Sequence, residues 1–281
     1  MNLKLFFLFL FSLIPSLSST YAVPYSAIPD RNFRYPSGST FFKKITKNTG
    51  EKREKRFLKE TLRGNIPDYL RNLKEVVISE KLKNGRKVKA KIWVTGDYIS
   101  IGKDSDFVRT PMSPITAQHI ADHYGFILPT TKIVDLIYNQ ADVKLSPITF
   151  TPNASMVSTS KYLQHNELIE KQLQGKKLNQ LIAGHKKDVV ITNRLNHKAK
   201  KVAIYGWHRK NGKAIQPLSL VHGNYYADYS HGIRLISNTI EIDGEAHPIG
   251  IILKDPSLSK IISYEGAVRF TRYRTEEDFI R

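Results

Sequence analysis

The chain has 281 residues, no cysteine, and 44 Lys and Arg against 25 Asp and Glu, a formal net charge of +19. With 41% hydrophobic and 10% aromatic residues it can bury a substantial core, which excludes global disorder. The lack of Cys excludes disulfide staples, thiol nucleophiles and Cys-ligated zinc, so any nucleophile is Ser, Thr, Tyr, Lys, a carboxylate or an activated water.

Residues 1–22 read as a cleavable signal peptide. Lys4 supplies the basic start, Leu5 to Phe11 the apolar run, and Ser18, Ser19, Thr20 and Ala22 the small residues before a cut after Ala22. The run is shorter than the ~20 residues that span a bilayer, and Pro15 interrupts it. No later segment is apolar and long enough to cross a membrane, so the chain is expected to be secreted or periplasmic. Losing Lys4 leaves a charge of about +18, which attracts an anionic polymer or envelope surface and admits nucleic acid as a partner.

Residues 23–64 are expected to be a basic leader or linker, rich in Pro and Ser and then in Lys and Arg, with a solvated helix or a dibasic processing site around Lys52 to Arg56. A single domain is expected over 65–281, with a helical subregion at 111–175. Val76 to Glu80 and Val88 to Val94 flank Asn84-Gly85, the pattern of a β-hairpin, and Tyr98 to Ile101 is expected to extend it. Ser113-Pro114 caps a predicted helix to Tyr124, Thr130 or Thr131 caps another to Ala141, and Ser158 to Gln174 forms a third. Phe126 to Pro129 reads as a connector. Strands are predicted at Asp188 to Thr192, Val202 to Trp207, Ile215 to Val221, Ile233 to Ile236 and Thr239 to Ile242, with a turn at Asp243-Gly244 and a last helix at Ser257 to Ile262. The predicted class is α+β, with hairpin-rich antiparallel sheets and a few segregated helices.

Acid–base chemistry concentrates in His222 to Arg234. One arrangement has His222, Asp228 and His231 hold a divalent metal such as zinc, with His208 or His185 completing the set, so that a bound water attacks. Another makes Ser230 the nucleophile and His222 its base, because adjacent residues on a strand face opposite ways, with Arg234 or backbone N–H groups near Gly232 stabilising an oxyanion. Further signals are His119 and His123 at helical i, i+4 spacing beside Asp122, Glu265 as an acid or base, and Gly184 to Asp188 as a basic or phosphate-holding turn.

Ser230-His231-Gly232-Ile233-Arg234-Leu235 resembles the Ser-His-Gly-Cys-x-Arg signature of the L,D-transpeptidases, and His222-Gly223 is similar to their upstream His-Gly. The resemblance covers about fifteen residues. It implies an exported, β-rich enzyme acting on peptidoglycan. The catalytic Cys of that family is missing between Gly232 and Ile233, so the thioester chemistry of the family is closed to this chain. The expected function is an exported hydrolase of a peptidoglycan-like envelope polymer; the rival reading is a non-catalytic, basic, polyanion-binding secreted protein.

Overall fold

A computed structural model describes residues 26–275; the predicted signal peptide at 1–22 lies outside the described residues. The segment expected as a leader is built into the domain. Its helices α1 (Gly38–Lys44) and α2 (Gly50–Leu62) carry Phe41, Phe42 and Phe57, all buried in the main core. Their ring centroids lie 5.6 to 6.3 Å apart. On α2 the buried residues Arg53, Glu54, Phe57 and Glu60 follow helical spacing, while Lys52, Lys55, Arg56 and Lys59 are exposed. The charge run thus forms the wet face of an amphipathic helix whose other face helps to seal the core.

Strands β1 (Lys74–Lys81) and β2 (Lys87–Val94) form the expected hairpin, pairing Val77 with Lys91. Gly85 supplies the positive φ of 87° that this turn needs. The chain does not continue as a third meander strand. Residues 95–99 run beside 233–235 instead, with Thr95 N donating to Leu235 O at 3.0 Å and Ile99 N to Ile233 O at 2.8 Å. The next pair, β3 (Ser100–Lys103) and β4 (Asp106–Arg109), is a separate two-stranded sheet.

Helix α3 (Pro114–His123) is capped by Ser113 Oγ, which accepts from Thr116 N, and α4 (Thr131–Gln140) by Thr130 Oγ1, which accepts from Ile133 N. Between them the expected connector is a short strand, β5 (Phe126–Ile127). Then come β6 (Val143–Lys144), α5 (Thr159–Leu173), β7 (Ile182–Ala183), β8 (Lys187–Val189), β9 (Ile204–His208), β10 (Ala214–Ser219), β11 (His231–Gly232), β12 (Ile236–Ile242), β13 (Glu245–Pro248) and α6 (Ile249–Lys254). The helix predicted at 257–262 is displaced. Asp255 Oδ1 accepts from the Ser257 and Leu258 amides, so this residue makes a turn after α6, and only a 3-10 turn follows at Ser259–Ile261.

The largest sheet runs β1-β2-β12-β13, with β5 paired to β12, and is antiparallel throughout. A second sheet runs β10-β9-β8-β11, in which β8 and β11 are parallel. With six α-helices and mostly antiparallel pairing among the described residues, the fold is α+β, as the sequence pattern indicates. One main core extends from Ile28 to Tyr273 across both sheets. Among the described residues no helix is long and apolar enough to cross a membrane.

Candidate functional site

The parallel pairing of β11 with β8 builds the site. It sets His231 opposite Lys187 and Gly232 opposite Asp188, so two segments more than forty residues apart become neighbours. Gly232 makes this approach feasible. A Cβ there would come within 2.6 Å of the Tyr98 ring and 2.8 Å of Lys186 Cβ, closer than packed atoms allow. The preceding loop is held by Asp228, whose Oδ1 accepts from Ser230 N at 2.8 Å and from Ser230 Oγ at 2.5 Å. Its Oδ2 accepts from the Tyr226 hydroxyl at 3.1 Å. Tyr162 on α5 donates to Ala227 O at 2.7 Å, and Arg53 on α2 donates to the Tyr162 hydroxyl at 2.9 Å. Two helices therefore brace the loop from behind.

The five residues singled out by the sequence are placed differently from one another. Asp228, Ser230, His231 and Arg234 are buried; His222 is half-buried. His222 stacks on Tyr226 with centroids 3.9 Å apart, and Tyr226 meets His231 edge-on at 5.7 Å, so one tyrosine ring separates the two imidazoles. Ser230 gives its hydroxyl proton to Asp228, which leaves it paired with a carboxylate and not with an imidazole. Arg234 spends its donors on backbone, giving Nη1 to Thr95 O at 2.8 Å and Nη2 to Ile182 O at 2.7 Å, with its guanidinium 4.4 Å from the Tyr98 ring centroid. These two bonds tie the segment after β11 to residue 95 and to β7, and leave Nε without a hydrogen-bond partner among the described residues.

Both candidates for a third metal ligand are engaged elsewhere. His185 Nε2 lies 3.0 Å from Asp97 Oδ1, and His208 Nε2 lies 2.9 Å from Asp135 Oδ1 while its ring stacks on Tyr138. Among the described residues no group of three or more His, Asp or Glu is arranged to hold a metal ion. Asp122, beside His119 and His123, accepts from Gln118 and Arg272. Glu265 accepts from Thr192 Oγ1 at 2.7 Å and Asn193 N at 2.9 Å, at the start of the 3-10 turn Asn193–His197.

Two residues not singled out by the sequence complete the cluster. Lys186, in the turn read as a basic loop, is fully buried. Its Nζ donates to Tyr229 O at 2.5 Å and lies 3.1 Å from His165 Nδ1. His165 Nε2 lies 3.1 Å from Ile148 O, which makes Nε2 the protonated nitrogen and Nδ1 the acceptor of the lysine proton. On α5 the buried face runs Thr159, Tyr162, His165, Asn166, Ile169, Leu173, so helical periodicity is the signal that marks His165 as internal. Lys186 has no such signal, because two lysines opening a strand read as solvated.

The electrostatics of this cluster are unusual. Burial, with Arg109 nearby, lowers Lys186 to about 7 against the pull of Asp228. Burial lowers His231 to about 4 although Asp228 opposes it, and neither ring nitrogen of His231 has a hydrogen-bond partner among the described residues. Burial and the Lys186 charge push His165 far below the usual imidazole range. Burial would raise Asp228, but His231, the Ser230 hydroxyl and Lys187 hold it below the ordinary carboxylate value. At neutral pH the site therefore holds one carboxylate, two neutral imidazoles and an amine balanced between its two protonation states.

No family model matches this chain, and neither does any curated protein or solved structure.

Proposed function

We propose that this protein is an exported hydrolase whose proton-transfer centre is Lys186, His165, His231 and Asp228, acting on a peptidoglycan-like envelope polymer. The observation that carries the reading is a buried imidazole with both nitrogens unpartnered beside a buried lysine whose pKa sits near neutrality. An unpaired buried polar group costs about 1–3 kcal/mol and a purely structural residue would shed it. Groups perturbed together in this way mark sites that exchange protons. A group titrating near the working pH is also the most effective general acid or base.

The roles follow from the contacts. The free ring nitrogen of His231 is the base that takes a proton from a water nucleophile, since Ser230 is already committed to Asp228. Lys186 is the acid that returns a proton to the leaving group, with His165 Nδ1 and Tyr229 O holding its amine in place. Asp228 supplies the negative charge facing His231. Entry is past His222 and Tyr226, the half-buried pair in front of His231; rotation of the Tyr226 ring exposes the imidazole.

The test is incubation of the purified chain with peptidoglycan sacculi, with released fragments separated by chromatography. His231→Asn and Lys186→Met are each expected to lower product release at least a hundredfold with an unchanged circular dichroism spectrum. Full turnover in both folded variants would remove the proposal.

A further inference from the structure

Beside the same loop, but facing solvent, lies a cleft of about 330 Å³ whose walls carry Lys200, Asn224, Tyr225 and Arg274. We infer that this cleft binds an acidic saccharide, with its anionic group between Lys200 and Arg274 and its sugar face on the Tyr225 ring. The inference stands on the cleft alone and does not require the catalytic reading.

The cations are available. Lys200 and Arg274 are both exposed, and neither side chain makes a hydrogen bond or ion pair among the described residues. Their neighbours are occupied: Lys201 Nζ donates to Val221 O at 2.7 Å, and Arg272 pairs with Asp122 at 2.7 Å. Both walls are also preformed. Buried Tyr273 fixes Arg274 by donating its amide to Gln118 Oε1 and its hydroxyl to Val190 O, while accepting from Ala203 N. The opposite wall is held by the Lys201–Gly223 bridge and by Asn224 N donating to Lys200 O at 3.0 Å. With the backbone under both cations fixed, only their two side chains lose freedom on meeting an anion, and an arginine fork matches a carboxylate or phosphate in two places.

The floor narrows the ligand class. Tyr225 is 65% exposed, and it and Ile115 also line a second cleft of about 110 Å³. On the far side of the tyrosine the character changes, because the second cleft carries His119, buried Glu54, and Glu51 paired with Lys55. A nucleic acid has a phosphate at every unit and would set one against this second cleft, whose lysine is already paired with Glu51. A saccharide with its charge at one end places hydroxyls there, where carboxylates and an imidazole accept or donate hydrogen bonds. Its C–H face lies on an exposed aromatic ring without desolvating a charge.

Calorimetric titration of the full chain with sialyllactose, whose one carboxylate sits on its terminal sugar, and with glucuronic acid, glucose, inorganic phosphate and an eight-nucleotide DNA strand tests this. Lys186→Met is used as the background, so that turnover does not interfere and a failed turnover assay leaves the binding result standing. The same titrations on E276Q/E277Q/D278N control for the carboxylates that follow in the sequence. The acidic saccharides are expected to bind at least tenfold tighter than glucose or phosphate, and to weaken as salt rises. Lys200→Ala, Arg274→Ala and Tyr225→Ala are each expected to weaken that binding at least tenfold, and Tyr225→Phe to leave it within twofold. The inference is overturned by no binding in either background, by equal affinity for glucose or phosphate, by tighter binding of the DNA strand, or by affinity unchanged in the three alanine variants.

Discussion

Two buried ionic clusters lie close enough to feel each other's charge, yet they are built on opposite principles. In the first, Asp97 accepts from Arg109 Nε at 2.8 Å, has Arg109 Nη2 at 2.7 Å and His185 Nε2 at 3.0 Å, and accepts from Tyr98 N at 2.7 Å. Each oxygen of the carboxylate has a donor or imidazole partner. Burial alone would raise Asp97, but Arg109 and His185 outweigh it and hold it well below the usual carboxylate range. In the second, Lys186 is buried without a carboxylate on its amine and His231 without any partner on its ring. Pairing locks a buried charge in place. Burial without pairing moves the group toward its neutral form, where it can gain or lose a proton cheaply. The first cluster is a strut, and the second is where we propose that chemistry takes place.

The sharpest way to break that contrast is Asp97→Ala. It leaves buried Arg109 with only Asn166 and the partly exposed Glu170 as partners and is expected to lower stability by about 3–5 kcal/mol, as read from urea denaturation. A loss below about 1 kcal/mol would make the two clusters alike.

Lys186→Met comes next. It removes an unpaired cation but leaves Tyr229 O and His165 Nδ1 without a donor, opposing effects of about 1–3 kcal/mol that leave a smaller net change. Its signature is in the pH dependence. The folded value of about 7 lies below the unfolded 10.5, so between those limits the unfolded chain binds more protons. Stability of the native sequence is therefore expected to rise with pH across that window relative to the variant, and a flat difference curve would contradict the lysine's assigned state.

His231 extends the comparison to acid. Its folded value of about 4 lies below the unfolded 6.5, so its stabilising contribution is present above 6.5 and is lost as pH falls toward 4. His185, also lowered to about 4, shares this window, so His231→Asn is expected to remove only part of the slope seen by thermal denaturation between pH 4 and 6.5. Smallest is Tyr226→Phe, which deletes the hydrogen bond to Asp228 Oδ2 and is expected to lower stability by about 0.5–1.5 kcal/mol. Turnover should change little, because the ring that screens His231 remains.

Local patterns in the chain were enough to locate most elements. Ser113, Thr130 and Ser158 cap three helices where the sequence places their starts, because a cap is a contact within one turn. The Asn84-Gly85 and Asp243-Gly244 turns likewise fall where expected, since positive φ is a property of the residue itself; Asp243 has φ 51° and Gly244 φ 91°. The stretch from His222 to His231 was also legible as unusual chemistry.

Its meaning was not local. Whether Arg234 meets an oxyanion or two carbonyls, and whether Lys186 is solvated or sealed, depends on which distant strand lies alongside. That is set by the parallel match of β11 to β8 and by the space that Gly232 leaves for Tyr98. The helices of 38–62 teach the same lesson: a basic run reads as solvent-facing until Phe41, Phe42 and Phe57 find a core to fill. Caps, turns and periodicity are energies between near neighbours, so the amino-acid sequence by itself determined them. Burial, pairing and protonation are energies of surroundings, so only the tertiary structure decided them.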